Sequence, residues 1–152
     1  VGAKYRIPES TLIQAAAPHG VAKNLAPVAP ELAGFVPPEG VPAPVLHQFA
    51  GAYVAEHTLG VEEEDVLNAI RYHTSGRPNM SALEKIIFLS DMLEQGRSFP
   101  HVEDLREWFY RDINECMYRS LRYQIRYLKK GRGAMYPLTL RAFEYYKENR
   151  SR

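Results

Sequence analysis

Residues 61–91 read VEEEDVLNAIRYHTSGRPNMSALEKIIFLSD, two helical stretches joined by a short punctuated segment. Val66, Ala69, Ile70 and His73 recur at i, i+3, i+4 and i+7, one face of an α-helix. Glu62, Glu63, Glu64 and Asp65 crowd the first turn, where the macrodipole favours carboxylates. A helix is predicted over Val61–His73, broken by Gly76 and Pro78. Ser81 with Glu84 has the spacing of a capping box, so a second helix is predicted from Ser81 to about Gln95. Its inner stripe reads Leu83, Ile87, Ser90 and Asp91.

The same period extends in both directions. Pro44 suits a first helical turn, and Leu46, Phe49, Ala50, Tyr53 and Val54 follow at helical spacing until Gly60. Beyond the quoted stretch, one long helix is predicted from about Val102 to Lys130, ending at the Gly131–Gly133 turn, and Pro137 opens a last one to about Asn149. Eight of the 11 prolines lie at or before Pro44, so the first third reads as short helical pieces joined by turns. No segment alternates with the period of a strand, and no internal repeat is visible. The expectation is an all-α helical bundle in a single domain spanning 1–152, Pro-rich over 1–44 and a continuous helical core over 45–149.

At 152 residues, 45% hydrophobic and 24% charged, the chain is long enough to bury a core without disulfides or a structural metal. Lys and Arg total 19 against 18 Asp and Glu, a net charge of +1 that argues against a dedicated nucleic-acid binder. The single cysteine, Cys116, excludes an internal disulfide and fits a cytoplasmic setting. The longest uncharged run, Gly40–Ala55, is 16 residues and holds two prolines, too short for a membrane span of about 20 apolar residues.

The informative residues are polar side chains on faces that should be apolar. His73 points inward from the stripe of Val66, Ala69 and Ile70. Asp91 shares the inner stripe of its helix, and a buried carboxylate is costly unless it is paired or binds a metal. His47 lies near the start of its helix beside the small Ala50 and Gly51, which leave room for a ligand. Two histidines and an aspartate converging in a helical core suggest a divalent metal site, with iron, manganese or zinc suited to such ligands. The alternative stays open: an inward histidine also sits on a backbone carbonyl, and an inward aspartate also pairs with arginine. His57 and His101 read as surface residues near helix ends.

The strings around these residues are specific. Ala69–Ser81 (AIRYHTSGRPNMS), Leu83–Asp91 (LEKIIFLSD) and Glu94–Arg97 (EQGR), with Val45–Ala52 (VLHQFAGA) and Tyr136–Leu140 (YPLTL), closely resemble the YqeK family of bacterial HD-domain phosphohydrolases. The resemblance covers residues 10–145. It implies a helical HD fold with a two-metal site, often iron, and symmetrical hydrolysis of diadenosine tetraphosphate to two ADP. Paired cations of that kind polarise phosphate oxygens and lower the pKa of a bound water. Residue by residue, the resemblance implies His19, His47, His73 and Asp91 as metal ligands, with His73 and Asp91 also catalytic. It implies Lys23, Thr74, Gly76, Arg77 and Arg97 in or beside a phosphate pocket, where an arginine holds phosphate bidentately. Arg77 has a structural alternative, pairing with an acidic neighbour. The implied partner is a nucleotide (a dinucleoside polyphosphate or a nucleoside diphosphate), with no membrane.

The sequence departs from the family's pattern at the namesake pair. The aligned segment is Ala15–Lys23 (AAAPHGVAK), where His19 keeps the histidine and Gly20 stands where the metal-bridging aspartate is expected. Pro18 interrupts what should be continuous helix. A further ligand histidine is expected well upstream, but only 18 residues precede His19 and none is histidine. Two expectations follow. Either the chain is a cut form of an active hydrolase, its first helix missing and Val1 standing at the cut, or it is a degenerate HD domain that binds nucleotide without efficient catalysis. Reduced metal occupancy from Gly20 is expected in both. Apolar surface left by a missing helix would promote association, a homodimer being the form it would take.

One feature lies outside the resemblance. Arg119, Arg122, Arg126, Lys129 and Lys130 share one face of the long helix, and Tyr118, Tyr123 and Tyr127 lie close by. Such a face binds RNA or another polyanion, or is simply solvated, basic residues being favoured toward a helix C-terminus.

Overall fold

The computed structural model describes residues 32–94, 96–132 and 135–150. They form six α-helices, all-α as the periodicity predicts: α1 (Ala43–His57), α2 (Glu64–Arg71), α3 (Ala82–Met92), α4 (Val102–Arg111), α5 (Ile113–Tyr127) and α6 (Pro137–Glu148). No helix is long and apolar enough to cross a membrane among the described residues.

The central element is α3, because both of its faces are buried. Leu83 and Ile87 pack with Ala52 and Ala55 of α1 and with Val66, Leu67 and Ile70 of α2. Ile86, Phe88 and Leu89 turn the other way, onto Leu105, Met117, Leu121, Ala142 and Tyr146 of α4, α5 and α6. A helix apolar nearly all round is a core helix, and α3 therefore joins two hydrophobic clusters into one body. Its start is fixed by the expected capping box. The Ser81 hydroxyl accepts from the Glu84 N–H at 3.2 Å while the Glu84 carboxylate accepts from the Ser81 N–H.

Three sequence readings need correction. The helix expected over Val102–Lys130 is two helices. Asp112 leaves helical space (φ −159°, ψ 102°), and its carboxylate caps α5 by accepting from the Glu115 N–H at 3.1 Å. Aspartate competes poorly inside a helix and well at an N-cap, so Asp112 followed three residues later by Glu115 was a start signal inside the expected helix. Next, α2 stops at Arg71, and His73 lies just past its end, although still buried. Finally, the inner face of α3 does not hold Asp91 and Ser90. Ser90 is exposed and Asp91 half-buried, while Glu84 is the carboxylate that the core encloses, at 1% exposure.

Cys116 is the deeply buried thiol of α5, its S–H donating to the Leu105 carbonyl at 3.3 Å. Burial pushes its pKa up to about 12, so it stays protonated and unreactive.

Candidate active site

The loop between α2 and α3, residues 72–81, brings the predicted residues together, and its geometry follows from three anchors. The first is Gln48 of α1, fully buried. Its Oε1 accepts from the Thr74 N–H at 2.9 Å and the Ser75 N–H at 3.0 Å, and its Nε2 donates to the Ser75 hydroxyl at 2.8 Å. The second is Gln124 of α5, whose Nε2 donates to the Thr74 carbonyl at 3.0 Å. The third is Gly76, which adopts φ +69° and lies where a Cβ would be in van der Waals contact with Ala142 of α6, at 3.4 Å. A side chain would be strained at that φ. The loop is thus gripped from α1, α5 and α6.

These anchors hold His73 against His47 of α1. The two Nε2 atoms lie 3.1 Å apart, the rings meeting edge to face. His73 Nδ1 donates to the Ile70 carbonyl at 2.6 Å, so the lone pair of that ring is on Nε2, the atom facing His47. The Thr74 hydroxyl lies 3.2 Å from His47 Nε2. A backbone carbonyl fixing the tautomer from behind is the usual support of a metal-binding imidazole. Two imidazole nitrogens each about 2.1 Å from one cation, at a right angle, would stand about 3.0 Å apart, so the donor pair fits a shared divalent ion. Among the described residues no third His, Cys, Asp or Glu closes that pair into a three-ligand cluster.

Of the pair, His73 opens onto a cavity of about 580 Å³, whose walls also include Thr74, Asp91, Arg97, Tyr123 and Gln124. Arg97 is half-exposed, and its Nη2 lies 3.8 Å from Asp91 Oδ2. His47, His73, Thr74, Asp91 and Arg97 therefore gather at one place. His19, Gly20 and Lys23 lie outside the described residues.

Arg77 and Gly76 are not part of the cavity wall. Arg77 turns away and forms a bidentate pair with Glu84, Nε to Oε2 at 2.8 Å and Nη2 to Oε1 at 2.7 Å, with its guanidinium also 4.5 Å from the centre of the Tyr72 ring. The Glu84 carboxylate holds the guanidinium pKa above its ordinary value. Of the two readings of Arg77, the structure thus favours pairing with an acidic neighbour. The rest of the string is scaffolding too. The Met80 N–H donates to the Tyr146 hydroxyl at 2.8 Å, and the Tyr145 hydroxyl donates to Asn79 Oδ1 at 3.0 Å.

Sequence reasoning passed over Gln48, Gln124 and Phe99. Gln48 had a legible signal, since it is the one polar residue on the stripe Val45, Gln48, Ala52, Ala55, all buried. On the basic face of α5, Arg119 is committed to Glu115 at 3.0 Å, and Arg150 shares that carboxylate. Arg150 first and then Arg119 hold Glu115 below the usual carboxylate range.

No protein-family model matches the chain. The symmetrical bis(5'-nucleosyl)-tetraphosphatase of Halalkalibacterium halodurans is 48% identical over 99 residues, 65% of this chain and 53% of that protein. Its namesake from Bacillus subtilis is 38% identical over 99 residues, again 65% of this chain and 53% of that protein. The one from Staphylococcus aureus is 35% identical over 104 residues, 67% of this chain and 54% of that protein. The chain spans about half the length of these curated relatives. A solved structure from Clostridium acetobutylicum, described as a predicted HD superfamily hydrolase involved in NAD metabolism, superimposes with a TM-score of 0.66. It is 30% identical, and the match covers 97% of this chain and 71% of that one.

Proposed function

The chain belongs to the HD superfamily of hydrolases, in its YqeK-type branch, and we propose that it hydrolyses diadenosine tetraphosphate symmetrically to two ADP with the help of a divalent metal. The observation that carries this reading is the facing pair of His47 and His73, of which His73 lines a cavity together with Asp91 and Arg97. The metal would be held first by His47 and His73; Asp91, on the cavity wall but not closed onto the pair in this structure, and His19, outside the described residues, are the other proposed ligands. When bound, such a cation polarises phosphate oxygens and makes hydroxide available near neutral pH.

The chain's own residues supply the rest. Arg97, half-exposed and only loosely paired, is placed to swing from Asp91 to a phosphate, where its planar fork donates to two oxygens. The Thr74 hydroxyl adds a neutral donor beside His47. His73 is kept in one tautomer by Ile70, so it does not turn when substrate arrives. Asp91 is the carboxylate on the cavity wall placed to take the proton of an attacking water. Attack on either central phosphorus breaks the central P–O–P bridge, and the bridging oxygen leaves on the other half, so both products are ADP.

The test is product analysis by chromatography after incubation with diadenosine tetraphosphate and iron, manganese or zinc. ADP as the only nucleotide product is expected. Equal amounts of ATP and AMP, or no hydrolysis with any of the metals, would overturn the reading.

A further inference from the structure

The far wall of the same cavity is aromatic, and the reaction proposed above makes no use of it. Phe99, in the segment between α3 and α4, stacks on Tyr123 of α5, with centroids 4.5 Å apart and planes tilted by 26°. Tyr127, one helical turn on, continues the run at 6.4 Å and 29°. All three rings line the cavity that holds His73, Thr74, Asp91 and Arg97. The run is graded. Phe99 packs against the main core cluster, Tyr123 is half-buried, and Tyr127 is 43% exposed. A platform backed by the core at one end and open at the other is stiff, so a flat ligand stacks on it without first ordering it. Rings that served only to fill the core would instead be buried along their whole run.

The cavity wall thus carries two chemically different sets of groups. One set is a guanidinium, a hydroxyl and the His73 imidazole, suited to phosphate. The other is a run of near-parallel, mutually stacked aromatic rings, which a planar heterocycle would extend. A ligand matching both is a nucleoside phosphate lying with its base toward Tyr123 and its phosphates toward Arg97. We infer that the Phe99–Tyr123–Tyr127 wall is the base-binding face of this cavity, and that it recognises a nucleobase by stacking and not by reading one particular base edge. The inference deepens the proposed phosphohydrolase function and rests on it for the choice of nucleotide. It adds a specificity rule: the cavity distinguishes nucleotides from inorganic polyphosphates but tolerates adenine and guanine alike, because every base has a π-face.

The test is direct titration of the full 152-residue chain, at a fixed divalent metal concentration, with ADP, GDP and pyrophosphate. Tyr123→Ala is expected to weaken ADP and GDP about 10–100-fold while leaving pyrophosphate within about twofold, the size of one lost stacking contact. Tyr123→Phe keeps the ring and should stay within about twofold of the parent for all three ligands, which separates stacking from the hydroxyl. Circular dichroism confirms that the variants fold. If Tyr123→Ala does not, Tyr127→Ala at the exposed end should show the same selective loss in smaller measure. Equal weakening of ADP and pyrophosphate, a strong preference for ADP over GDP, or no nucleotide binding would overturn the inference. Nucleotide binding with this pattern but without hydrolysis of diadenosine tetraphosphate would overturn only the proposed reaction.

Discussion

Arg77 and Arg97 flank the same helix, α3, and the family resemblance places both at a phosphate pocket, yet their surroundings differ. Arg77 holds both its Nε and Nη2 on the oxygens of Glu84, a carboxylate at 1% exposure inside the core. Arg97 reaches Asp91 only at 3.8 Å, and both side chains are partly exposed. A guanidinium satisfied bidentately by a buried anion cannot leave without stranding that anion, whereas a loosely paired, half-exposed one exchanges partners at little cost. Burial of the partner, and not proximity in sequence to the histidines, therefore decides which arginine can exchange partners. The same division runs through the loop itself. His73 and Thr74 face the cavity, while Ser75, Gly76, Arg77, Asn79, Met80 and Ser81 tie the loop to the surrounding helices.

The largest effect should come from breaking the buried pair. Glu84→Ala and Arg77→Ala each remove a partner, and in Arg77→Ala the Glu84 carboxylate is left buried and unpaired. A loss of about 3–5 kcal/mol is expected, read by urea denaturation. The double replacement Arg77→Met with Glu84→Leu removes both charges and should recover most of that loss. A double variant as unstable as the single ones would mean that the pair acts through something other than uncompensated charge.

A smaller effect is expected at Gln48, which sharpens the contrast between cavity-facing and supporting residues. Gln48→Leu leaves the Thr74 and Ser75 N–H groups without their acceptor, a cost of about 1–3 kcal/mol. Because these groups set the position of His73 and Thr74, kcat should fall more than the thermal loss alone explains, with KM little changed. Gln48→Glu, which keeps the acceptor oxygens, should restore part of both. Equal activity per folded molecule in Gln48→Leu would show that the clamp is dispensable for the site.

The helical architecture was legible because 3.6-residue periodicity and turn residues are local signals. The capping box at Ser81 and the end of α1 after His57 follow from neighbouring residues alone. What escaped depends on rotation about a helix axis or on partners far along the chain. Periodicity put Asp91 on the inner stripe and gave Glu84 a role in capping only. A shift of a single position changes a residue's facing by about 100°, and the pairing of Glu84 with Arg77 was not visible in the spacing. Asp112 falls inside the helix that the pattern predicts over Val102–Lys130, although its side chain prefers a cap. The convergence of His47 with His73 was legible in kind, from two inward histidines. Their shared clamp was not, since Gln48 and Gln124 act through backbone groups of a loop that no pattern specifies.

The most direct test of the division between the two arginines is ADP affinity, measured by titration calorimetry on Arg97→Ala and on the Arg77→Met, Glu84→Leu double variant at a temperature where both are folded. The Arg97 variant should lose at least about tenfold in affinity, the worth of a charge-assisted hydrogen bond, while the double variant should bind like the parent. Loss of ADP binding in the double variant, with Arg97→Ala unaffected, would contradict the account.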